Sequence, residues 1–155
     1  MPIVFVSGNI FNSSADALVC PVNTVGVMGA GLARSFAAAF PGLKSAYMAA
    51  AHRHMLDDGQ TWAYRTERSG RGVLVACVPT KQHWRTPSTL DGVRAAIVGL
   101  VGWLGRHPDV RTIAVPQLGC GLGGLDWRDV RPLIIQHMGA LDVQVDVFHL
   151  ARRYE

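Results

Sequence analysis

The chemistry this chain can support is concentrated in two glycine-rich stretches and one basic, aromatic stretch. The first glycine stretch reads Asn23-Thr24-Val25-Gly26-Val27-Met28-Gly29-Ala30-Gly31. The second reads Gln117-Leu118-Gly119-Cys120-Gly121-Leu122-Gly123-Gly124-Leu125-Asp126. Each lies between an apolar, β-branched run and a run of helix formers. Glycine lets main-chain N–H groups come up to an anion, and a helix N-terminus adds partial positive charge there. Two such loops on one sheet can hold both halves of a pyrophosphate, so a diphosphate-containing nucleotide is the first ligand to consider. One glycine loop alone would read as a tight turn. The crowding of Gly119, Gly121, Gly123 and Gly124 argues for a cradle instead.

The third stretch is Pro79-Thr80-Lys81-Gln82-His83-Trp84-Arg85-Thr86-Pro87. A lysine in a loop is ordinarily a solvated charge. Here Trp84 and Pro79 are placed to desolvate Lys81, which would make it a nucleophile or a proton carrier. Arg85 suits a phosphate or carboxylate and equally an open surface, while His83 either orients Lys81 or packs in the loop. Cys120 sits between glycines at an expected helix entrance, an environment that acidifies a thiol, yet no base is spaced to activate it. Asp126 reads first as a helix N-cap and second as a carboxylate at the mouth of the second loop. Cys20 and Cys77 fall in strands as small core residues, and His52 and His54 face different sides of a helix. No metal and no cofactor is expected.

Familiar nucleotide motifs do not fit. Gly29-Ala30-Gly31-Leu32-Ala33-Arg34 opens like GxGxxG but carries Arg34 at the third glycine position, and no acidic residue closes a following strand. No GxxxxGK[ST] string occurs.

These loops need a sheet to hold them. Short apolar runs bounded by turn residues predict strands over 3–6, 17–22, 61–65, 72–78, 112–115 and 143–150. Helices are predicted over 31–40, closed by Pro41, and over 43–55, closed by Asp57-Asp58-Gly59. A third runs from Ser88, as N-cap with Asp91 at the capping-box position, to about residue 106, and a fourth over 127–138 behind Asp126. Residues 79–87 are left as loop. Alternating strands and helices give an α/β domain with a mostly parallel sheet covered on both faces. In such sheets ligands sit beyond the carboxyl ends of the strands, where both glycine loops and the Lys81 loop would converge.

The 155 residues fit one domain, residues 1–155, with 49% apolar and 17% charged residues arguing against disorder. Fifteen basic residues against 11 acidic ones leave a formal charge of +4, a mild bias toward anionic partners with no basic tract behind it. An odd number of cysteines with no CxxC spacing, the lack of a signal-peptide pattern and the lack of a ~20-residue apolar span predict a cytoplasmic protein with no membrane contact.

Taken together, the strings resemble a macrodomain, the ADP-ribose-binding α/β fold, over nearly the whole chain. Ser7-Gly8-Asn9-Ile10 is similar to the family's opening Gly-Asp-Ile/Leu. The two glycine loops and Pro79 to Ser88 are similar to the ALC1-like branch, which holds a terminal ADP-ribose glycohydrolase and the macrodomain antitoxins of DNA-ADP-ribosylating toxin pairs. The resemblance implies a three-layer α/β/α domain with a mixed, mostly parallel central sheet. It places Asn9, where the family has aspartate, and Ile10 beside the adenine, and Asn23 near the distal ribose. Gly26, Val27, Met28, Gly29 and Gly31 would line one side of the diphosphate and distal ribose. Leu118, Gly119, Cys120, Gly121, Leu122, Gly123 and Gly124 would line the other. Lys81 matches the lysine that carries or assists cleavage at the ribose anomeric carbon, and Asp126 is the second catalytic candidate. The glycohydrolase of this branch has a catalytic aspartate at the position matching Gly123, so water attack assisted by Lys81 is preferred over a covalent lysine intermediate. The implied activity is that of an ADP-ribosylhydrolase acting on mono-ADP-ribose. Its acceptors are protein acidic residues in ester linkage, ranked narrowly ahead of thymidine in single-stranded DNA. The implied partners are ADP-ribose and the modified protein or single-stranded DNA, with the bacterial chain a monomer. The alternative is a reader that binds ADP-ribose without hydrolysis.

Overall fold

The computed structural model describes residues 3–149. Six strands form one sheet in the order β1-β6-β5-β2-β4-β3. In chain order they are β1 (Ile3–Ser7), β2 (Ala17–Asn23), β3 (Trp62–Arg68), β4 (Arg71–Lys81), β5 (Thr112–Val115) and β6 (Gln144–His149). All neighbours pair in parallel except β3, an antiparallel edge strand on β4. Four helices cover the two faces: α1 (Gly31–Ala39), α2 (Leu43–His52), α3 (Leu90–Gly105) and α4 (Trp127–Met138). The chain is therefore a three-layer α/β/α domain with a mixed, mostly parallel sheet.

Strand periodicity builds both cores at once. In β2, Ala17 and Val19 point into the layer formed with α3 and α4, whereas Leu18, Cys20 and Val22 point into the layer formed with α1 and α2. β4 divides likewise, with Leu74, Ala76 and Val78 on one side and Val73, Val75 and Cys77 on the other. Strands buried on both faces read as continuous apolar runs, as β2 and β4 do.

Two prolines lie inside strands, where a missing N–H would normally break a ladder. Pro21 sits where β2 has parted from β5, since these strands pair only at Ala17 with Ile113 and Leu18 with Ala114. Pro79 lies past Cys77, the last β4 residue paired with β3. Each proline borders an open side, which lets β4 continue to Lys81 and puts residues 79–81 on a strand instead of in the expected loop. The pairing of β2 with β4 slips at its end, with Val22 opposite Pro79 and Asn23 opposite Lys81. Thr80 is thus the extra residue of a β-bulge.

Other boundaries also differ from expectation. The second helix stops at His52, because His54 takes a left-handed φ of 59°. The N-cap of α3 is Thr89, whose Oγ1 accepts from Gly92 N at 3.0 Å, and not Ser88. The expected end of the last strand at Leu150 and the domain limits at Met1 and Glu155 lie outside the described residues. Among the described residues no helix is long and apolar enough to cross a membrane.

From β2 the chain leaves toward β4 and β3, and from β5 it leaves toward β6. The divergence of β2 and β5 therefore falls where the winding reverses, which is where open α/β sheets bind ligands.

Candidate active site

A groove of about 2000 Å³ runs along the carboxyl ends of the parallel strands. The first glycine loop forms one wall and is pinned by Asn23. The Oδ1 of this buried residue accepts from the N–H groups of Val25 (3.2 Å), Gly26 (3.0 Å) and Val27 (3.2 Å), and its Nδ2 donates to Val27 O at 2.8 Å. The network fixes the amide orientation, because the flipped form would set NH₂ against three N–H donors. Tyr47 OH reaches Asn23 O at 2.7 Å and Oδ1 at 2.9 Å, sharing one hydrogen between them. Burial pushes the Tyr47 phenol above its usual range, so it stays a donor.

After this pinned turn the chain enters α1 with nothing capping it. Ala30 occupies the N-cap and provides no side-chain bond, and no acidic residue stands in the first turn. The N–H groups of Gly29, Ala30, Gly31, Leu32 and Ala33 find no hydrogen-bond partner among the described residues. Orphan donors and a helix N-terminus left without a carboxylate make this wall an anion seat.

The second loop faces it. Leu125 N donates to Gly119 O at 3.0 Å and Gly124 N to Gly121 O at 3.1 Å, which folds the loop on itself. The amides of Gly121, Leu122 and Gly123 have no partner among the described residues. Gly119 must be glycine on two counts: its φ is +73°, and a Cβ there would lie 2.9 Å from Val93 Cγ2. Across the groove the loops touch, since Leu122 Cδ1 lies 3.0 Å from where a Cβ of Gly31 would stand. Two rows of free amides therefore close around one strip of space.

Lys81, at the end of β4, lines the same groove, and its Nζ donates to Trp84 O at 3.1 Å. It is one of two lysines in the chain, the other being Lys44. Arginine cannot give up its proton in a protein, which leaves Lys81 and His149 as the basic side chains of the groove suited to proton handling. Thr24 fastens the first loop to this segment through its N (3.1 Å) and Oγ1 (2.9 Å), both donating to Gln82 O. No Asp or Glu lines the groove among the described residues.

Of the expected site residues, Asn9, Ile10, Asn23, Val27, Gly29, Gly31, Lys81, Gly119, Cys120, Gly121, Leu122 and Gly123 line the groove together. Others do not. Met28 and Leu118 are fully buried core residues, pointing inward from the loops they belong to. Gly26 packs the loop against α2, where its φ is +89° and a Cβ would lie 3.1 Å from Ala51 Cβ. Gly124 serves the turn with a φ of +80°. Asp126 lies outside the groove: its carboxylate caps α4 by accepting from Arg128 N at 2.8 Å and pairs with the Arg128 guanidinium, also at 2.8 Å. The expected acidification of Cys120 is reversed. Burial first, then the negative charges of Asp126 and Asp129, push its thiol up to about 11.

Several lining residues were not anticipated. Phe11 and Arg68 wall one end, the guanidinium lying 6.0 Å above the Phe11 ring centroid and donating to Phe11 O. Ser88 lines the groove with a buried Oγ that has no hydrogen-bond partner among the described residues, and its N–H donates to Gly123 O at 3.0 Å. Two consecutive cap-competent residues, Ser88-Thr89, were the available signal: one caps, which frees the other.

Residues 19–134 match the Macro domain family. The chain is a macrodomain. The DNA ADP-ribosyl glycohydrolase of Thermus aquaticus is 39% identical over 145 residues, covering 93% of this chain and 40% of that protein. The solved macrodomain of Thermus aquaticus DarG superposes with a TM-score of 0.84 at 38% identity, covering 96% of this chain and 97% of that one. Thermosipho africanus DarTG in complex with ADP-ribose superposes with a TM-score of 0.89 at 31% identity, covering 99% of this chain and 43% of that one. The macrodomain spans about two fifths of the length of the DNA ADP-ribosyl glycohydrolases it matches.

Proposed function

We propose that this macrodomain, a single unit over residues 1–155 acting as a monomer, is an ADP-ribosylhydrolase that removes mono-ADP-ribose from thymidine in single-stranded DNA. The observation that carries the proposal is the pair of amide rows, unpartnered among the described residues, that face each other in a groove lined by Lys81 and by no described Asp or Glu. A diphosphate fits the amides, because each free N–H gains a charge-assisted bond that water otherwise supplies. The adenine then falls toward Asn9, Ile10 and Phe11 and the distal ribose toward Asn23 and Lys81. Relatives at 36–39% identity named DNA ADP-ribosyl glycohydrolase favour DNA over the protein ester as acceptor. The loop strings favour the ALC1-like branch.

In this reading water attacks the anomeric carbon, the bond to the thymine nitrogen breaks, and that nitrogen leaves with the electron pair. The Lys81 ammonium gives it a proton and regains one from the attacking water, so the products are ADP-ribose and unmodified thymidine. Asp126 has no part in the reaction, being engaged by α4 and Arg128.

Lys81→Ala tests this on two substrates, an oligonucleotide carrying ADP-ribosyl-thymidine and a peptide carrying an ADP-ribosyl-glutamate ester. Loss of a proton-handling group lowers turnover about 10²- to 10⁴-fold, read as free ADP-ribose released. Undiminished turnover on both substrates would remove Lys81 from the mechanism. A wild-type protein that binds ADP-ribose and releases none from either substrate would be a reader.

A further inference from the structure

Trp84 stands on the groove beside Lys81 with 45% of its surface exposed. The ring is held in place. His83 stacks against it at 5.5 Å between centroids with a 27° interplanar angle, and His83 Nδ1 accepts from Arg85 N at 3.1 Å. The Arg85 guanidinium lies 4.5 Å from the ring centroid and has no ion pair among the described residues. Val27 and Leu122, from the two glycine loops, expose apolar surface on the same groove, at 43% and 68%. Trp84, Val27 and Leu122 thus present apolar surface to the groove that Lys81 lines, and the Arg85 guanidinium lies against the indole.

We propose that Trp84 and Arg85 form an acceptor subsite of this macrodomain, in which the nucleobase of single-stranded DNA stacks on the indole and the guanidinium meets the adjoining phosphate. The inference rests on the DNA reading above and deepens it. A planar, weakly polar base suits this surface, whereas a glutamate ester on a protein backbone has no flat face to offer it. Arg85 already covers part of the ring, so the two interactions compete. An exposed cation–π contact is worth about 2- to 5-fold, and a stacked base about 5- to 150-fold. The base wins the ring and frees the guanidinium for the negatively charged strand. Lys81 is held by the main-chain oxygen of Trp84, so changing the side chain leaves that acceptor in place.

Steady-state kinetics on the ADP-ribosyl-thymidine oligonucleotide and on the ester peptide, with calorimetry on free ADP-ribose, test the subsite. Trp84→Ala should raise KM for the oligonucleotide about 5-fold or more with kcat little changed, and Trp84→Phe should recover most of the loss. The Kd for free ADP-ribose should stay within about 2-fold, since the ring is assigned no contact with that moiety. Arg85→Gln should flatten the slope of log KM against log salt by about 0.7, the loss of one single-strand phosphate contact. An unchanged oligonucleotide KM overturns the subsite. So does an equal loss on both substrates or a matching loss of ADP-ribose affinity, because the ring would then only support Lys81. A wild-type protein that releases nothing from the oligonucleotide sinks the DNA reading itself, an outcome separate from any effect of Trp84.

Discussion

Asn23 holds the first loop through a single side chain, so Asn23→Ala isolates what that loop contributes. The substitution removes the Oδ1 that accepts from three amides and the Nδ2 that donates to Val27 O. Tyr47 OH keeps a partner in Asn23 O, which limits the damage on that side. Of the three amides, that of Gly26 makes a fully buried bond and cannot turn to water, whereas those of Val25 and Val27 are part-exposed. A buried donor left unpaired costs about 1–3 kcal/mol, and each re-solvated bond about 0.5 kcal/mol, for a total of about 2–4 kcal/mol. At roughly 2–4 °C per kcal/mol for a domain of this size, Tm should fall by about 5–15 °C. Affinity for ADP-ribose should fall with it, by about tenfold or more, because the amides at the entry to α1 lose their fixed position. Thermal unfolding by circular dichroism and calorimetry with ADP-ribose read the two effects. A Tm within about 1 °C of wild type would show that the network is not holding the loop. A clear fall in Tm with unchanged Kd would detach the loop from ligand binding.

Three further outcomes follow from the second loop and its surroundings, and one from the composition of the groove. A Cβ at Gly123 would lie 2.5 Å from both Gly119 O and Ser88 Oγ. Ser88 can rotate away but the main chain cannot, so Gly123→Asp should weaken ADP-ribose binding about tenfold, read by calorimetry. With the Cys120 thiol pushed up to about 11, iodoacetamide at neutral pH should label it about tenfold or more slower than a free cysteine, and the rate should keep rising past pH 10. Arg128 holds the Asp126 carboxyl below its usual range, chiefly by hydrogen bonding. The folded state thus keeps this carboxylate charged to lower pH than the unfolded chain does. The contribution is complete above about pH 4 and is lost as pH falls through the lowered value. Asp126→Asn should flatten the acid limb of the stability curve and leave turnover at pH 7 intact. Finally, arginine-linked ADP-ribose should remain uncleaved under conditions that clear the thymidine linkage, as monitored by mass spectrometry.

What the sequence revealed was what local chemistry determines. Both glycine loops could be placed because each turn needs glycine and each is bounded by a strand and a helix. Met28 and Leu118 were misread as lining for the same reason: adjacency to glycine says nothing about which way the side chain turns. The strand containing Lys81 was cut short at Pro79, since a proline breaks a ladder only where a neighbour is present, and β3 had already ended. Asn23 was expected near the ribose, and it does line the groove. Its network with Tyr47, 24 residues away, is a tertiary fact with no local signal. Arg68 is more remote still, reaching Phe11 across 57 residues.

The absence of Asp and Glu among the described residues lining the groove limits what can drive the reaction. Without a carboxylate among those residues, the carboxylate nucleophile and the carboxylate base common in glycoside cleavage are both missing. Cleavage at such a carbon passes through an oxocarbenium-like state, in which the bond to the leaving group is largely broken while the nucleophile is still weakly engaged. The rate then depends on how well the departing group carries negative charge. A thymine nitrogen or an ester carboxylate departs as a delocalised anion, and a neighbouring ammonium stabilises that charge as it develops in the transition state. A guanidinium departs from the opposite starting point. It is cationic before the bond breaks, so Lys81 repels it in the bound state and has no developing negative charge to meet in the transition state. In the proposed reaction, Lys81 in a groove with no Asp or Glu among its described lining residues selects acceptors by the charge they leave with, which puts the arginine linkage on the wrong side of that choice.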